Sequence, residues 1–200
     1  MNTKTKWVID SAQSVIGFEV KHLAISNVKG VFNIFNAGIY TDDNDFLTAA
    51  IDFRISTSSI NTGDVYRDEY LKSFVFFDVK NHNQITFRGN SMEKLEIDGN
   101  YEMPGDLTIK GITRSLKLAV EFEGLKKNIF GRETANFSIE GKINRKDWGL
   151  NWNTALEDSG MISSDVVLLK CKFKLKKATI QDFELPIEIM PQQTAAKFVY

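Results

Sequence analysis

This sequence of 200 residues contains little cysteine, histidine or proline. One cysteine cannot form an intramolecular disulfide, and two histidines supply few ligands for a transition metal. Three prolines are far fewer than a disordered, proline-rich chain contains. A chain of this length buries roughly 70% of its unfolded surface, so it folds without a disulfide or a metal. We therefore predict an ordered globular protein with no metal site and no cofactor.

The sequence also lacks an excess of charge and a long apolar run. Its 25 basic and 26 acidic residues give a net charge of −1, which provides no bulk attraction to nucleic acid. The longest stretch without a charged residue is 30–41, whereas a membrane-spanning helix needs about 18 to 20 residues. We predict no nucleic-acid partner and no transmembrane segment. The first ten residues lack the apolar core of a secretory signal. This predicts a cytoplasmic protein, or a periplasmic one if a signal has been trimmed.

Phenylalanine, with 15 copies, and alternating apolar residues are abundant instead. Apolar side chains occupy every second position in 116–122, 137–143 and 167–175, a pattern typical of strands with one buried face. Short polar turns between such segments favour antiparallel pairing. The pattern predicts eight strands, near residues 15–22, 28–40, 46–55, 84–92, 95–111, 114–124, 131–144 and 165–177. Eight antiparallel strands close most simply as a barrel, so we predict an all-β fold.

Two segments interrupt the alternation. Residues 62–74 have the apolar spacing of a short helix, about 64–74, with Thr62 or Asp64 as its N-cap. Residues 178–200 follow the last clear strand and contain two prolines. We predict a barrel domain over 1–177 and a C-terminal arm over 178–200, docked on the barrel or on a second subunit.

The inward-facing positions of the four clearest strands carry no charged residue. An eight-stranded barrel either fills its interior with side chains or holds one small ligand there. Whatever occupies this interior is therefore apolar. The alternation alone leaves both alternatives open, because it produces an apolar core in either case.

Motifs for catalysis are scarce. The sequence contains no G-x-S-x-G, H-E-x-x-H, phosphate-binding or dinucleotide-binding motif. His22, Arg67 and Asp68 could provide acid–base chemistry if they meet at a barrel mouth. Cys171 lies at an inward position of a predicted strand, where a thiol behaves as a small hydrophobic group. We predict no catalytic residues, and keep a cofactor-free enzyme as an alternative.

A series of short motifs resembles the YceI-like family of lipocalin-like lipid-binding proteins. The strongest is GDLTIKGIT at 105–113, and the resemblance extends over about 7–177. The other motifs, in the family's order, are WVID at 7–10, VKGVF at 28–32, SINTG at 59–63, RD at 67–68, FFD at 76–78 and RKDWGL at 145–150.

The resemblance implies a lipocalin-like barrel around a long apolar pore. Members of the family bind polyisoprenoids, isoprenoid quinones or similar amphiphiles, have no established catalytic residues, and pair as homodimers in some cases. We therefore expect non-catalytic binding, transport or storage of an amphiphilic lipid. A long acyl chain is an equally suitable ligand for an apolar pore. The alternatives are a filled barrel that acts as a protein-interaction module, with the arm as its contact, and a cofactor-free lipid-modifying enzyme.

The aromatic residues of the predicted strands and helix are the expected ligand contacts. Seven are predicted to line the pore: Phe18, Phe32, Phe53, Phe87, Phe122, Phe137 and Phe173. Four are predicted near an entrance or cap: Phe74, Phe76, Phe77 and Trp148.

Overall fold

A computed structural model describes residues 4–22, 26–96, 99–127, 129, 131–151 and 163–179. The described chain consists mainly of antiparallel strands with one α-helix, α1 (Val65–Lys72). The strands are β1 (Lys4–Ile9), β2 (Val15–His22), β3 (Ser26–Phe32), β4 (Phe35–Asp42), β5 (Asp45–Ser56), β6 (Ile60–Asn61), β7 (Gln84–Gly89), β8 (Glu93–Lys94), β9 (Asn100–Ile109), β10 (Ile112–Lys127), β11 (Glu133–Asn144) and β12 (Ser163–Lys177).

Eight strands form a closed ring. Their order is β1-β4-β5-β7-β9-β10-β11-β12, and β12 pairs back onto β1 with Ile9 opposite Leu175. All these pairings are antiparallel. Closure satisfies the backbone groups that an open sheet would leave at its edges. The predicted all-β fold, an eight-stranded antiparallel barrel with one short helix, is confirmed.

Three strands pair in a second series outside the closed ring. β2 pairs with the long β12, which also pairs with β1. β3 then pairs with β2, and β6 pairs with β3. β2, β3 and β6 therefore lengthen the barrel beyond the closed ring. The sequence predicted one strand over 28–40, but the structure breaks it at Asn33 and Ile34. The sequence prediction also missed β1, in which Lys4 and Lys6 precede only three apolar residues, Trp7, Val8 and Ile9.

Helix α1 bridges the gap between β6 and β7. Asp64 is the N-cap, since its Oδ1 accepts a hydrogen bond from the Arg67 amide at 3.0 Å. The helix ends at Lys72, because Ser73 adopts an extended conformation and its Oγ donates to the Tyr70 carbonyl at 2.7 Å. It is therefore shorter at its C-terminal end than the predicted 64–74. No helix in the described residues is long and apolar enough to cross a bilayer.

An aromatic cluster fills the barrel end that lies farthest from α1. Trp7 is fully buried, and its indole Nε1 donates to Thr41 Oγ1 at 3.0 Å. The Phe46 ring lies 4.9 Å from those of both Trp7 and Phe137, and Phe122 stacks on Phe137 at 4.8 Å. These contacts close one end of the barrel with packed rings.

The division into a barrel domain (1–177) and an arm (178–200) stays a prediction. The amide of Ala178 donates to the Lys6 carbonyl at 2.9 Å, which continues the pairing of β12 with β1. Residues 180–200 lie outside the described part of the chain.

Candidate functional site

The barrel encloses a cavity of about 220 Å³ between α1 and the aromatic cluster. Its wall is almost entirely hydrocarbon, as the inward-facing pattern of the strands requires. The aliphatic lining residues are Ile9, Ile16, Val20, Val28, Ile39, Ala49, Ile51, Ile55, Ile60, Leu71, Ile85, Leu107, Ile109, Leu116, Leu118, Val120, Ile139, Ile143, Leu150, Val167, Leu169 and Leu175. Within the described residues, the wall contains no aspartate or glutamate, and its polar side chains are those of Thr62, Arg67, Arg145 and Cys171.

Most of the predicted aromatic residues contribute to this wall. The lining includes Phe18, Phe32, Phe53, Phe76, Phe77, Phe87, Phe137 and Phe173. Several pack edge to face, such as Phe53 against Phe173 at 5.3 Å. The structure therefore gathers these side chains around one space, and their contact with a ligand stays a prediction.

Two predicted phenylalanines lie elsewhere. Phe74 is 79% exposed, because α1 ends before it and the chain turns at Ser73. Phe122 was expected to line the pore, but it packs behind Phe46 at 5.2 Å and lies outside the cavity wall. Phe122 still pairs in register with Phe137 and stacks on its ring, so its side is the predicted one, but Phe46 and Phe137 line the cavity in its place.

Trp148, which was expected near an entrance or cap, is buried and is not part of the cavity wall. It is 3% exposed and lies in a 3₁₀ turn over Arg145–Trp148. Its indole Nε1 donates to the carbonyl of Leu107 at 3.1 Å. Trp148 thus fastens this turn to β9, behind a residue that does line the cavity.

The predicted ligand contacts left out the aliphatic majority of the wall, and the sequence contained no indication of Arg145. The aliphatic residues share the inward parity already seen in the sequence, so the same signal could have identified Val120, Ile139 and Leu169. Arg145 carried no such signal, because its burial depends on a partner far along the chain.

Arg67 is held at the cavity by Thr62 and Asp68. Arg67 Nε donates to Thr62 Oγ1 at 2.8 Å, and Nη2 donates to the Thr62 carbonyl at 3.0 Å. The Thr62 hydroxyl donates in turn to Asp68 Oδ1 at 2.5 Å, which also accepts from the Thr62 amide. This relay fixes the direction of the guanidinium, whose side chain is 34% exposed. Arg67 therefore lies between solvent and the cavity.

Arg145 is the second arginine of the cavity wall, and its charge is balanced by an ion pair with Asp165. Its side chain is 3% exposed, and its guanidinium donates to Asp165 Oδ1 and to the Leu150 carbonyl. Lys146 Nζ lies 2.7 Å from the other oxygen of Asp165. A buried charge needs such partners, so this ion pair fixes the start of β12 against the 3₁₀ turn.

The groups considered for acid–base chemistry are only partly brought together. Arg67 and Asp68 converge on Thr62 and orient the start of α1. The side chain of His22 lies outside the described residues. In the part of the chain that the structure describes, no three histidine, cysteine, aspartate or glutamate side chains are grouped to hold a metal ion.

Cys171 is the one ionisable thiol of the chain and lines the cavity. Burial raises the pKa of Cys171 to about 11, although a weak contact with the Gly17 carbonyl acts in the opposite direction. Since the thiolate is the nucleophile, alkylation by iodoacetamide at pH 8 should be at least about tenfold slower in the folded protein than in urea. Alkylation quenched at a series of times, followed by mass spectrometry, measures both rates on the same thiol. Equal rates would show that the Cys171 thiol is accessible in the folded protein and reacts as an exposed thiol does.

Comparison with known proteins identifies the family of this barrel. The model for the YceI-like domain matches residues 7–175. The chain belongs to the YceI-like family. The UPF0312 protein SA2479 of Staphylococcus aureus strain N315 is 40% identical over 164 residues, covering 81% of this chain and 92% of that protein. The predicted family resemblance is confirmed.

Solved structures show the same YceI-like architecture. The Campylobacter jejuni YCEI protein aligns with a TM-score of 0.66 and 32% identity, covering 85% of this chain and 96% of that chain. A polyisoprenoid binding domain from Saccharophagus degradans, implicated in plant cell wall breakdown, aligns with a TM-score of 0.64. It is 13% identical and covers 86% of this chain and 98% of that chain, so the likeness is one of fold.

Proposed function

We propose that this YceI-like protein binds an amphiphilic lipid in its barrel and carries or stores it without catalysis. The ligand would be a polyisoprenoid, an isoprenoid quinone or a lipid with a long acyl chain. The observation that carries the proposal is a cavity of about 220 Å³ whose wall is almost entirely hydrocarbon. A protein built only to pack its core would fill this space, because cavities cost stability.

The physical basis of binding is burial of the chain. Apolar area removed from water contributes about 25 cal/mol per Å², so a long hydrocarbon binds tightly without one hydrogen bond. A fold neighbour that is a polyisoprenoid binding domain supports the same ligand class. We expect the wall to discriminate ligands mainly by the length and thickness of the chain.

Native mass spectrometry of the purified protein tests the proposal. We expect a mass excess that is released by organic extraction and identified as an isoprenoid or acyl compound. The delipidated protein should take up a compound of the same class from a panel of quinones, prenols and fatty acids. A protein that carries no lipid and takes up none of the panel would overturn the proposal and favour an interaction module. A homodimer stays a prediction that the same spectra test.

A further inference from the structure

The charged residues of the cavity wall carry one sign of charge. Of the described lining residues, Arg67 and Arg145 are charged, and both are cations. The charge of Arg145 is balanced by Asp165 at close range. Arg67 is therefore the cation with capacity for a ligand, provided that its donors are not fully used within the protein.

The hydrogen bonds of Arg67 leave donors for a ligand. A guanidinium has five N–H donors. The bonds to Thr62 employ Nε and Nη2, and both are made to an oxygen of one uncharged residue. Nη1 lies 3.9 Å from Asp64 Oδ2, which is longer than a hydrogen bond. The charge of Arg67 is thus positioned by Thr62 without being paired at hydrogen-bond distance to Asp64.

Asp64 is a weak competitor for this charge. Its side chain is 47% exposed, and its Oδ1 accepts the capping bond from the Arg67 amide. A carboxylate in water loses much of its attraction for a cation through solvent screening. An anion that reaches Arg67 from the cavity side is surrounded by hydrocarbon, where the same interaction is stronger.

We propose that the lipid held by this barrel has an anionic head, a carboxylate or a phosphate monoester, which binds the guanidinium of Arg67. This inference rests on the proposed function, because the apolar chain of the same molecule would occupy the cavity. Arginine suits the role, since its planar fork binds both kinds of oxyanion with two parallel hydrogen bonds. Thr62 and Asp68 act as positioning residues that aim the fork.

The test compares lipids that share a chain and differ in the head. Geranylgeranyl phosphate is paired with geranylgeraniol, and palmitate with hexadecanol. Each competes with the neutral dye Nile red for the delipidated protein. The variants are Arg67→Met, Arg67→Lys and a control, Arg88→Met, in which the exchanged side chain is 68% exposed on β7 and lies outside the cavity.

We expect the native protein to bind at least one anion about tenfold or more tightly than its alcohol, as hydrogen bonds to a charged group imply. Arg67→Met should remove this preference and change the affinity for the alcohols by less than about twofold. Arg67→Lys should keep part of the preference, and Arg88→Met should keep all of it. A preference confined to the phosphate pair identifies a prenyl phosphate as the source, and one confined to palmitate identifies a fatty acid.

Two results would overturn the inference and leave the proposed function standing. One is equal affinity of the native protein for anions and alcohols. The other is an equal loss of affinity for anions and for alcohols in Arg67→Met, which would show that Arg67 only stabilises the structure of α1. Failure of all four lipids to displace Nile red would instead contradict lipid binding itself.

Discussion

Replacing Leu169 with glutamate should abolish lipid retention, whereas the same change at Leu168 should leave it intact. Leu169 lies in β12 and lines the cavity, with Phe18 as its partner across the strand pair. A carboxylate at this place must either be desolvated or bring water into the hydrocarbon cavity, and both oppose an apolar chain. We expect the lipid content of the purified variant to fall roughly tenfold or more.

Leu168 provides the matched control for Leu169→Glu. It is the next residue of the strand and faces outward, where its cross-strand neighbours are Glu19 and Lys142. Glutamate there should change the free energy of unfolding by less than about 1 kcal/mol. Leu169→Trp adds a second variant that fills the cavity without adding charge, and it should also lose lipid.

Extraction and mass spectrometry measure the molar ratio of lipid to protein in all three variants. Circular dichroism shows that each is folded. A folded Leu169→Glu protein with native lipid content would place the ligand outside this cavity, and so would equal losses at 168 and 169.

Replacing Phe46 with alanine should let the protein accept longer chains and should lower its stability. Phe46 is 5% exposed and lies both in the cavity wall and in the aromatic cluster, against Trp7 and Phe137. Removing a buried phenylalanine ring costs about 3–5 kcal/mol in the free energy of unfolding. The same removal extends the cavity toward Trp7, because the ring forms its floor.

The affinities of farnesol, geranylgeraniol and solanesol, ranked by chain length, test whether Phe46 forms the floor of the cavity. The longest prenol should gain affinity relative to the shortest one in Phe46→Ala. Phe122→Ala is the control, since Phe122 packs on the same rings from outside the cavity wall. It should lose stability in urea denaturation and keep the native ranking. A native ranking in Phe46→Ala, or the same shift in both variants, would show that this cluster does not limit chain length.

Particular residues show how far the sequence could predict this barrel. The alternation of Val167, Leu169, Cys171 and Phe173 correctly predicted a strand with one side facing inward, and all four residues line the cavity. Phe122 follows the same rule, since it pairs in register with Phe137, but Phe46 from another strand packs against it and lines the cavity in its place. Phe74 is exposed for a local reason, the end of α1 at Lys72, and its place near an entrance stays a prediction.

The polar part of the site illustrates a different limit. The sequence brought Arg67 and Asp68 to notice as neighbours on a predicted helix, but their common partner, Thr62, became evident only from the hydrogen bonds. Arg145 is buried because Asp165 meets it across a separation of 20 residues. The charge of a single residue in the sequence does not predict such a pair, because an ion is buried only where the fold brings its counterion close to it.

The sequence by itself determined the fold class, the apolar interior and the family, because side-chain alternation and ordered motifs are properties of the chain. The tertiary structure decided that side chains leave a cavity of about 220 Å³, that Phe46 closes its floor and that Arg67 lies in its wall. The physical reason is that a space inside a barrel depends on the distances between strands far apart in sequence. Alternation fixes only which face of each strand is apolar.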